Sequence, residues 1–192
     1  MRMDLKRIVV IGPESTGKSS LCEALARAFG TIWCPEYARE YLTEHGKDYT
    51  FEQLDEIARG QIRLEEEHAD RALQLWSRQT NPVTPCPMLF VDTDMYVMKV
   101  WCEFVFGKCH PWILEEIGRR KYDLYLLCNT DLPWQQDHLR EYPDLETREN
   151  LLGIYRDLLK NQTVPWMEVT GSGQDRIDAA ILAVKTHLLT KR

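Results

Sequence analysis

Eight residues near the start of the chain, "GPESTGKS" at positions 12–19, combine two glycines, a lysine and several hydroxyl side chains. Their spacing, Gly12-x-x-x-x-Gly17-Lys18-Ser19, is typical of a loop that wraps its backbone N–H groups around phosphate oxygens. In such a loop the lysine reaches the outer phosphates and the serine hydroxyl can ligate Mg²⁺. The segment therefore predicts a site for ATP and Mg²⁺. The loop residues expected at this site are Gly12, Glu14, Ser15, Thr16, Gly17, Lys18, Ser19 and Ser20.

Carboxylates elsewhere in the chain could complete the chemistry of phosphoryl transfer. Asp92 ends an apolar run, "LFVD", and is the expected metal carboxylate beside Ser19. Asp94 and Glu36 are both candidates to accept the proton of an acceptor hydroxyl or to hold its ribose. Capping of the following helix is the alternative interpretation of both aspartates.

A polar, proline-broken stretch at about 131–149 predicts a lid that closes over the site and excludes water. Arg140 and Arg148 could clamp the transferring phosphoryl group there, and Arg140 is expected to contact ATP. Trp134 could stack on a flat ring or anchor the lid to the core.

Aromatic and charged residues near the expected strand ends could hold the acceptor. The residues expected to contact it are Glu36, Tyr37, Arg39, Asp94, Tyr96 and Trp134. Arg39 could bind a phosphate or pair with Glu36. Gly171 and Ser172, in "EVTGSG", could approach an adenine edge or form a plain turn between a strand and a helix.

Five apolar runs must position these residues: "RIVVIG", "TIWC", "MLFVDTD", "YDLYLLCNT" and "PWMEVTG". Helical patterns lie between them, including a long one with Thr50 as N-cap and Gln53 three residues on. Continuous apolar strands that alternate with helices predict an α/β fold, and the phosphate-binding loop after the first strand is typical of P-loop NTPases. We expect a mostly parallel five-stranded sheet, covered by helices on both faces, in one domain over residues 1–192.

Composition excludes several classes of protein. The 192-residue chain has a formal net charge of −6, which argues against a nucleic-acid partner. No apolar stretch approaches the ~20 residues that span a bilayer, so no membrane partner is expected. The start carries no signal-peptide core, which favours a cytoplasmic protein. Six scattered cysteines without a C-x-x-C pair indicate free buried thiols. The oligomeric state stays open.

Four stretches, "GPESTGKSSL", "PEYAREY", "FVDTD" and "CNTDLPWQQDHLR", occur in this order. Together they resemble the nicotinamide riboside kinase domain of the NadR type, over nearly the whole chain. The resemblance implies a P-loop kinase that transfers the γ-phosphoryl group of ATP to the 5′-hydroxyl of nicotinamide riboside, giving nicotinamide mononucleotide. It also implies that "DLPWQQDHLR" is the lid. The family often has Asp-Gly where this chain has Asp137-His138, so lid flexibility is where the chain departs from the pattern.

Full-length members of that family can also carry a nucleotidyltransferase domain and a DNA-binding helix-turn-helix. The chain has no His-x-Gly-His signature, and we expect a stand-alone kinase of NAD salvage. Two alternatives stay open: a kinase for another nucleoside or small metabolite, and a regulatory ATPase. A lid that excludes water argues against the ATPase, because hydrolysis needs water in the site.

Overall fold

The computed structural model describes residues 4–189. The strands are β1 (Lys6–Ile11), β2 (Ile32–Cys34), β3 (Met88–Asp92), β4 (Leu124–Cys128) and β5 (Trp166–Val169). The helices are α1 (Lys18–Ala28), α2 (Tyr37–His45), α3 (Phe51–Ser77), α4 (Met95–Phe106), α5 (Pro111–Arg119), α6 (Leu145–Lys160) and α7 (Gly173–Val184). A π-helical turn, Lys185–Leu189, continues α7.

The five strands form one sheet in the order β2-β3-β1-β4-β5, and every neighbouring pair is parallel. All strands therefore end at the same edge. The glycine-rich loop follows the central strand β1, so the ends of β3 and β2 lie on one side of it and those of β4 and β5 on the other. The expected P-loop NTPase-type α/β fold is confirmed.

Both faces of the sheet are covered, as the unbroken apolar strands indicated. Ile8 and Val10 point into a core shared with α1 and α7. Val9 and Ile11 point the other way, into a core shared with α3, α4 and α6. None of these four side chains is exposed to solvent. Alternate residues of β1 thus pack into two cores, one on each face of the sheet. This packing fixes the orientation of β1 and therefore of the loop that follows it.

The helices differ in how clearly the local sequence predicts where they begin. The capping box of α3 is present, with the Thr50 side chain accepting from the Gln53 N–H and the Gln53 side chain accepting from the Thr50 N–H. Sequence analysis assigned no helix to α2 or α5. Both are short, and isolated helices of this length are marginal in water. Packing of both helices in a third apolar cluster with α3 and α4 stabilises them.

No helix in the described part of the chain is long and apolar enough to cross a membrane. All six cysteines are free thiols, and four of them, Cys22, Cys34, Cys102 and Cys128, are buried. Burial raises the pKa of Cys128 to about 11 and that of Cys102 to about 12. The buried thiols therefore stay protonated at neutral pH, which fits packing rather than chemistry.

Candidate functional site

The glycine-rich loop between β1 and α1 holds a conformation that few residues other than glycine adopt. Gly12 has φ +142°, and a Cβ there would lie 2.7 Å from the Cys128 carbonyl oxygen. Gly17 and Ser15 also have positive φ, 76° and 56°. The loop is held from within, because Thr16 Oγ1 and Lys18 Nζ both donate to the Pro13 carbonyl, at 2.8 and 3.0 Å. Backbone and lysine are thus arranged before any phosphate binds.

Asp92 lies beside the loop because β3 pairs with β1, Asp92 facing Val10. Its Oδ2 accepts a hydrogen bond of 2.5 Å from Ser19 Oγ, and the residue is fully buried. Burial and the charge of Glu36 raise the pKa of Asp92 to about 6, against the opposing effects of Lys18 and Ser19. Ser19 Oγ and Asp92 Oδ2 fit Mg²⁺, which takes one or two protein ligands and completes its coordination shell with phosphate oxygens and water.

Within residues 4–189 no group of three or more His, Cys, Asp or Glu side chains forms a metal cage. The metal roles of Ser19 and Asp92 stay predictions, in which a bound nucleotide would supply further oxygen ligands from its phosphates. This division suits a metal that arrives with ATP.

Asp94 has a different environment from Asp92. Its Oδ1 accepts from the N–H groups of Tyr96 and Val97 at the start of α4, and its Oδ2 accepts from the Tyr125 hydroxyl at 2.9 Å. Burial raises the pKa of Asp94 to about 7. The capping interpretation is confirmed. A role as base stays a prediction, and of the two candidates only Glu36 lines the cavity.

The stretch predicted as a lid lies against the loop. Glu14 Oε2 accepts from the backbone N–H groups of Glu141 and Tyr142, at 2.9 and 3.2 Å. Burial raises the pKa of Glu14, and these two hydrogen bonds oppose the rise. Ser15 Oγ accepts from the Gln135 N–H at 3.0 Å. The lid is therefore seated on the residues that are expected to cradle phosphate.

A second set of contacts joins the same part of the lid to α2 and to the segment between α2 and α3. Arg39 forms an ion pair with Asp137. The Leu139 N–H and Arg39 lower the pKa of Asp137 to about 2. Farther along, Tyr49 Oη donates to Glu141 Oε2 at 2.9 Å. The lid thus bridges the loop and the α2 side of the cavity.

Trp134 lies between two lid arginines. The Arg140 and Arg148 guanidinium carbons are 5.8 and 5.6 Å from its ring centre. Arg148 is buried and donates to the Thr130 and Leu132 carbonyls. Burial and the charge of Arg140 lower the pKa of Arg148. Arg140 donates to Ser15 Oγ at 3.3 Å, which puts one guanidinium at the rim of the loop.

A cavity of about 620 Å³ runs from the loop to a bay between α2, α4 and the lid. Aromatic side chains of the bay are Trp101, Phe104, Tyr142 and Tyr155. Trp101 is fixed by a chain of hydrogen bonds, since its Nε1 donates to Tyr49 Oη, which donates to Glu141. The bay and the loop line one cavity, and its volume is that of a typical ligand pocket.

The structure brings most of the predicted site residues to this cavity. Its lining includes Gly12, Glu14, Ser15, Thr16, Gly17, Lys18, Ser19, Ser20, Glu36, Arg39, Arg140 and Ser172. Asp92 reaches it through Ser19. Besides Asp92, Asp94 and Arg148, four predicted residues lie outside the lining: Tyr37, Tyr96, Trp134 and Gly171. Their roles stay predictions.

Each of these four has a local partner. The Tyr37 ring packs on α3 at Gly60, where a Cβ would lie 2.0 Å from it. The Tyr96 ring lies 5.7 Å from that of Tyr125. The Gly171 N–H donates to Asp131 at the start of the lid, at 2.6 Å. Trp134 packs among the lid arginines described above.

Sequence analysis missed Arg176, which joins three parts of the site. This buried side chain of α7 donates to Asp131 Oδ1 at 2.9 Å, to the Gly171 carbonyl at 3.0 Å and to the Thr16 carbonyl at 2.9 Å. It also missed Gln61 and the aromatic residues of the bay. The available signal for Arg176 and Gln61 was a polar residue among the apolar positions of a helix.

Comparison with known proteins agrees with this geometry. A family model described as an AAA domain matches residues 7–176. Trifunctional NAD biosynthesis/regulator proteins NadR of Salmonella typhimurium and of Escherichia coli are each 26% identical to the chain over 175 residues, 89% of its length. The matched region is 40% of each of those proteins, so the chain spans well under half the length of its curated relatives.

Solved structures of NadR share the fold. A crystal structure of NadR protein in complex with NR has a TM-score of 0.72 and 22% identity, over 97% of this chain and 51% of that one. Another, in complex with NAD and AMP-PNP, has a TM-score of 0.69 and 20% identity, over 97% and 50%. The resemblance to the NadR type is confirmed.

Proposed function

Because the chain belongs to the AAA domain family and carries a nucleotide-binding P-loop, we propose that it is an ATP-dependent kinase acting on nicotinamide riboside. The reaction would transfer the γ-phosphoryl group of ATP to the 5′-hydroxyl and give nicotinamide mononucleotide. One observation carries the proposal: a single cavity joins the P-loop to an aromatic bay under a seated lid. The curated NadR relatives, which function in NAD biosynthesis, support this choice of acceptor.

Sheet topology suggests how the two substrates divide the cavity. Ser172 and Gly173 lie beyond β5, on one side of the P-loop, and suit the base of ATP. Glu36 and the bay lie beyond β2 and β3, on the other side, and suit the acceptor. The γ-phosphoryl group would then lie near Lys18 and Arg140, which neutralise charge that develops during transfer.

Mg²⁺ bound to Ser19, Asp92 and the phosphates would neutralise and orient the γ-phosphoryl group. The chain's own residues would do the rest. Glu36 would accept the proton of the 5′-hydroxyl, because of the two candidate bases, Glu36 and Asp94, it is the one that lines the cavity and caps no helix through its side chain. The lid would exclude water, which keeps ATP from hydrolysis.

The bay favours a flat cationic ring over a neutral one. Four aromatic side chains line it, and aromatic faces attract cations. Glu36 and Glu141 line the same side of the cavity, where the nearby Arg39 is paired with Asp137. Nicotinamide riboside carries a positive pyridinium ring, whereas uridine, cytidine and adenosine are neutral. This difference supports nicotinamide riboside against the alternative of a general nucleoside kinase.

The first experiment is ADP release from ATP and Mg²⁺ with nicotinamide riboside, uridine, cytidine or adenosine, with mass analysis of the product. We expect strong stimulation by nicotinamide riboside alone and a matching mononucleotide. The neutral, reduced form of nicotinamide riboside serves as a probe of ring charge, and it should be the poorer acceptor. Lys18→Ala supplies the inactive control. ADP release that ignores every nucleoside would move the protein to the ATPase class.

A further inference from the structure

Gln61 is a buried polar side chain that the chemistry above does not use. It lies on α3 with 1% of its surface exposed. Its Oε1 accepts from the Tyr37 N–H at 2.7 Å. Its Nε2 donates to the Pro35 carbonyl at 3.3 Å and to the Asp92 carbonyl at 3.4 Å. One amide thus ties the end of β3 to Pro35 and Tyr37, the two residues that flank Glu36.

One of these hydrogen bonds satisfies a backbone N–H group at the start of α2. The first N–H groups of a helix have no partner within it, and the N-cap side chain usually satisfies one. Glu36 is the N-cap of α2 and makes no such hydrogen bond. Gln61 instead accepts the N–H of Tyr37, the first helical residue, from a neighbouring helix. The Glu36 carboxylate is left free to line the cavity.

We infer that Gln61 is a positioning residue, which caps α2 from outside so that the Glu36 carboxylate serves the acceptor rather than its own helix. The inference rests on the proposed function for the role of Glu36. The hydrogen bonds to Pro35 and to the end of β3 fix the spacing between Glu36 and Asp92. Gln61 itself need not touch a substrate.

Gly60, the preceding residue, secures the same loop by a different contact. A Cβ at Gly60 would lie 2.0 Å from Tyr37 Cε1 and 2.2 Å from its Cδ1, both in the aromatic ring. Glycine in the middle of a helix is less favourable than alanine, so a glycine at this position needs a structural reason. The reason is that the Tyr37 ring packs directly against the backbone at Gly60. Gly60 and Gln61 together hold the residue on each side of Glu36.

The test compares Gln61→Met, which keeps side-chain length without hydrogen bonds, with Gln74→Met, the same change at an exposed position of α3. Transfer to nicotinamide riboside should slow about 10- to 100-fold in kcat for Gln61→Met, with KM for ATP unchanged, because a small misplacement of a reacting group has that effect. Gln74→Met should match the wild type. A rise in KM for ATP with normal kcat would overturn the inference.

A double-mutant cycle separates positioning from general damage. If Gln61 acts through Glu36, then Gln61→Met should add little to the loss already caused by Glu36→Gln. Full additivity of the two losses would contradict the inference. Gly60→Ala displaces Tyr37 by an independent route and should reproduce the fall in kcat, which covers the case in which Gln61→Met fails to fold.

Amide hydrogen exchange of the substrate-free protein tests the cap without any acceptor. The Tyr37 N–H should exchange faster in Gln61→Met, while amides in the middle of α3 keep their protection. Unchanged Tyr37 protection would refute the cap. If nicotinamide riboside proved not to be a substrate, the proposed function would fail, yet the exchange result would still decide whether Gln61 caps α2.

Discussion

At the scale of single residues, the site separates charges that bind phosphate from carboxylates that bind metal or acceptor. Lys18 stays at the loop through its hydrogen bond to the Pro13 carbonyl. Asp92 is buried with a hydroxyl against one oxygen. Each side chain therefore has one orientation before ligands arrive, and binding energy need not be spent on ordering it.

Lys18→Met should abolish phosphoryl transfer while the fold stays intact. The variant keeps the apolar stem of the side chain and removes the charge that meets the transferring group. Loss of one such electrostatic contact typically costs ~2.7–4 kcal/mol of barrier, a factor of about 100 to 1000 in kcat. Steady-state kinetics with circular dichroism as a folding control will check this, and near-normal kcat would disprove the assignment.

Asp92 should give the enzyme an acidic limit of activity near pH 6. Burial and Glu36 raise its pKa to about 6 in the folded protein, and only the ionised form suits a metal. The value of kcat/KM for ATP should therefore fall as pH drops through 6, rather than near 4 as for an ordinary aspartate. A pH profile from 5 to 8 measures it. A profile flat down to pH 5 would show that Asp92 ionises normally.

At the scale of elements, the lid is the part whose position depends on contacts distant in sequence. Its backbone N–H groups reach Glu14, and its side chains reach Ser15 and Arg39. These contacts are polar, and Leu139 and Tyr142 add apolar contacts, with the third cluster and with Phe104. An element seated by hydrogen bonds on both ends of the cavity suits a gate for two substrates.

Glu14→Ala should loosen the lid without unfolding the domain. The change leaves two backbone N–H groups, those of Glu141 and Tyr142, without their acceptor. Trypsin should then cut after Arg140 faster than in the wild type, by several-fold, since cleavage follows the open population. Mass mapping of early fragments measures this. Glu67→Ala, an exposed change on α3, should keep the wild-type rate. An equal rate in Glu14→Ala would show that Glu14 does not hold the lid.

At the scale of the whole molecule, folding buries two carboxyl groups at the end of β3 that are exposed to water in the unfolded chain. Asp92 and Asp94 both have raised pKa values, about 6 and about 7. Between pH 4 and 7 the folded state therefore binds more protons than the unfolded state at these positions. Their contribution to stability is complete below pH 4 and decreases as pH rises through the folded pKa values.

Asp94→Asn should reduce this pH dependence. One buried group can contribute a slope of at most about 1.4 kcal/mol per pH unit to the free energy of unfolding. Asn is also a good N-cap, and its oxygen can accept from the Tyr96 N–H while the Tyr125 hydroxyl accepts from its amide. Urea unfolding at pH 5, 6, 7 and 8 measures the pH dependence of the free energy of unfolding for the wild type and for Asp94→Asn. An identical slope in both proteins would mean that Asp94 is not the group responsible.

Several features of this protein follow from local rules and were therefore predictable. The loop pattern at 12–19, the apolar strands and the capping box of Thr50 each depend on residues close in sequence. Apolar runs ended by glycine or aspartate were enough to predict five strands and a covered parallel sheet. The loop residues and Glu36 reach one cavity because parallel strands end at the same edge.

The tertiary structure alone decided which of the similar side chains serve the site. Asp92 and Asp94 stand two residues apart, yet one meets Ser19 and the other caps α4, because β3 ends at Asp92 and the chain turns at Thr93, which has φ +76°. Gln61, Arg176 and the aromatic bay come from helices that fold back over the sheet from distant segments. Sequence spacing cannot encode those contacts, since packing of whole elements brings them together.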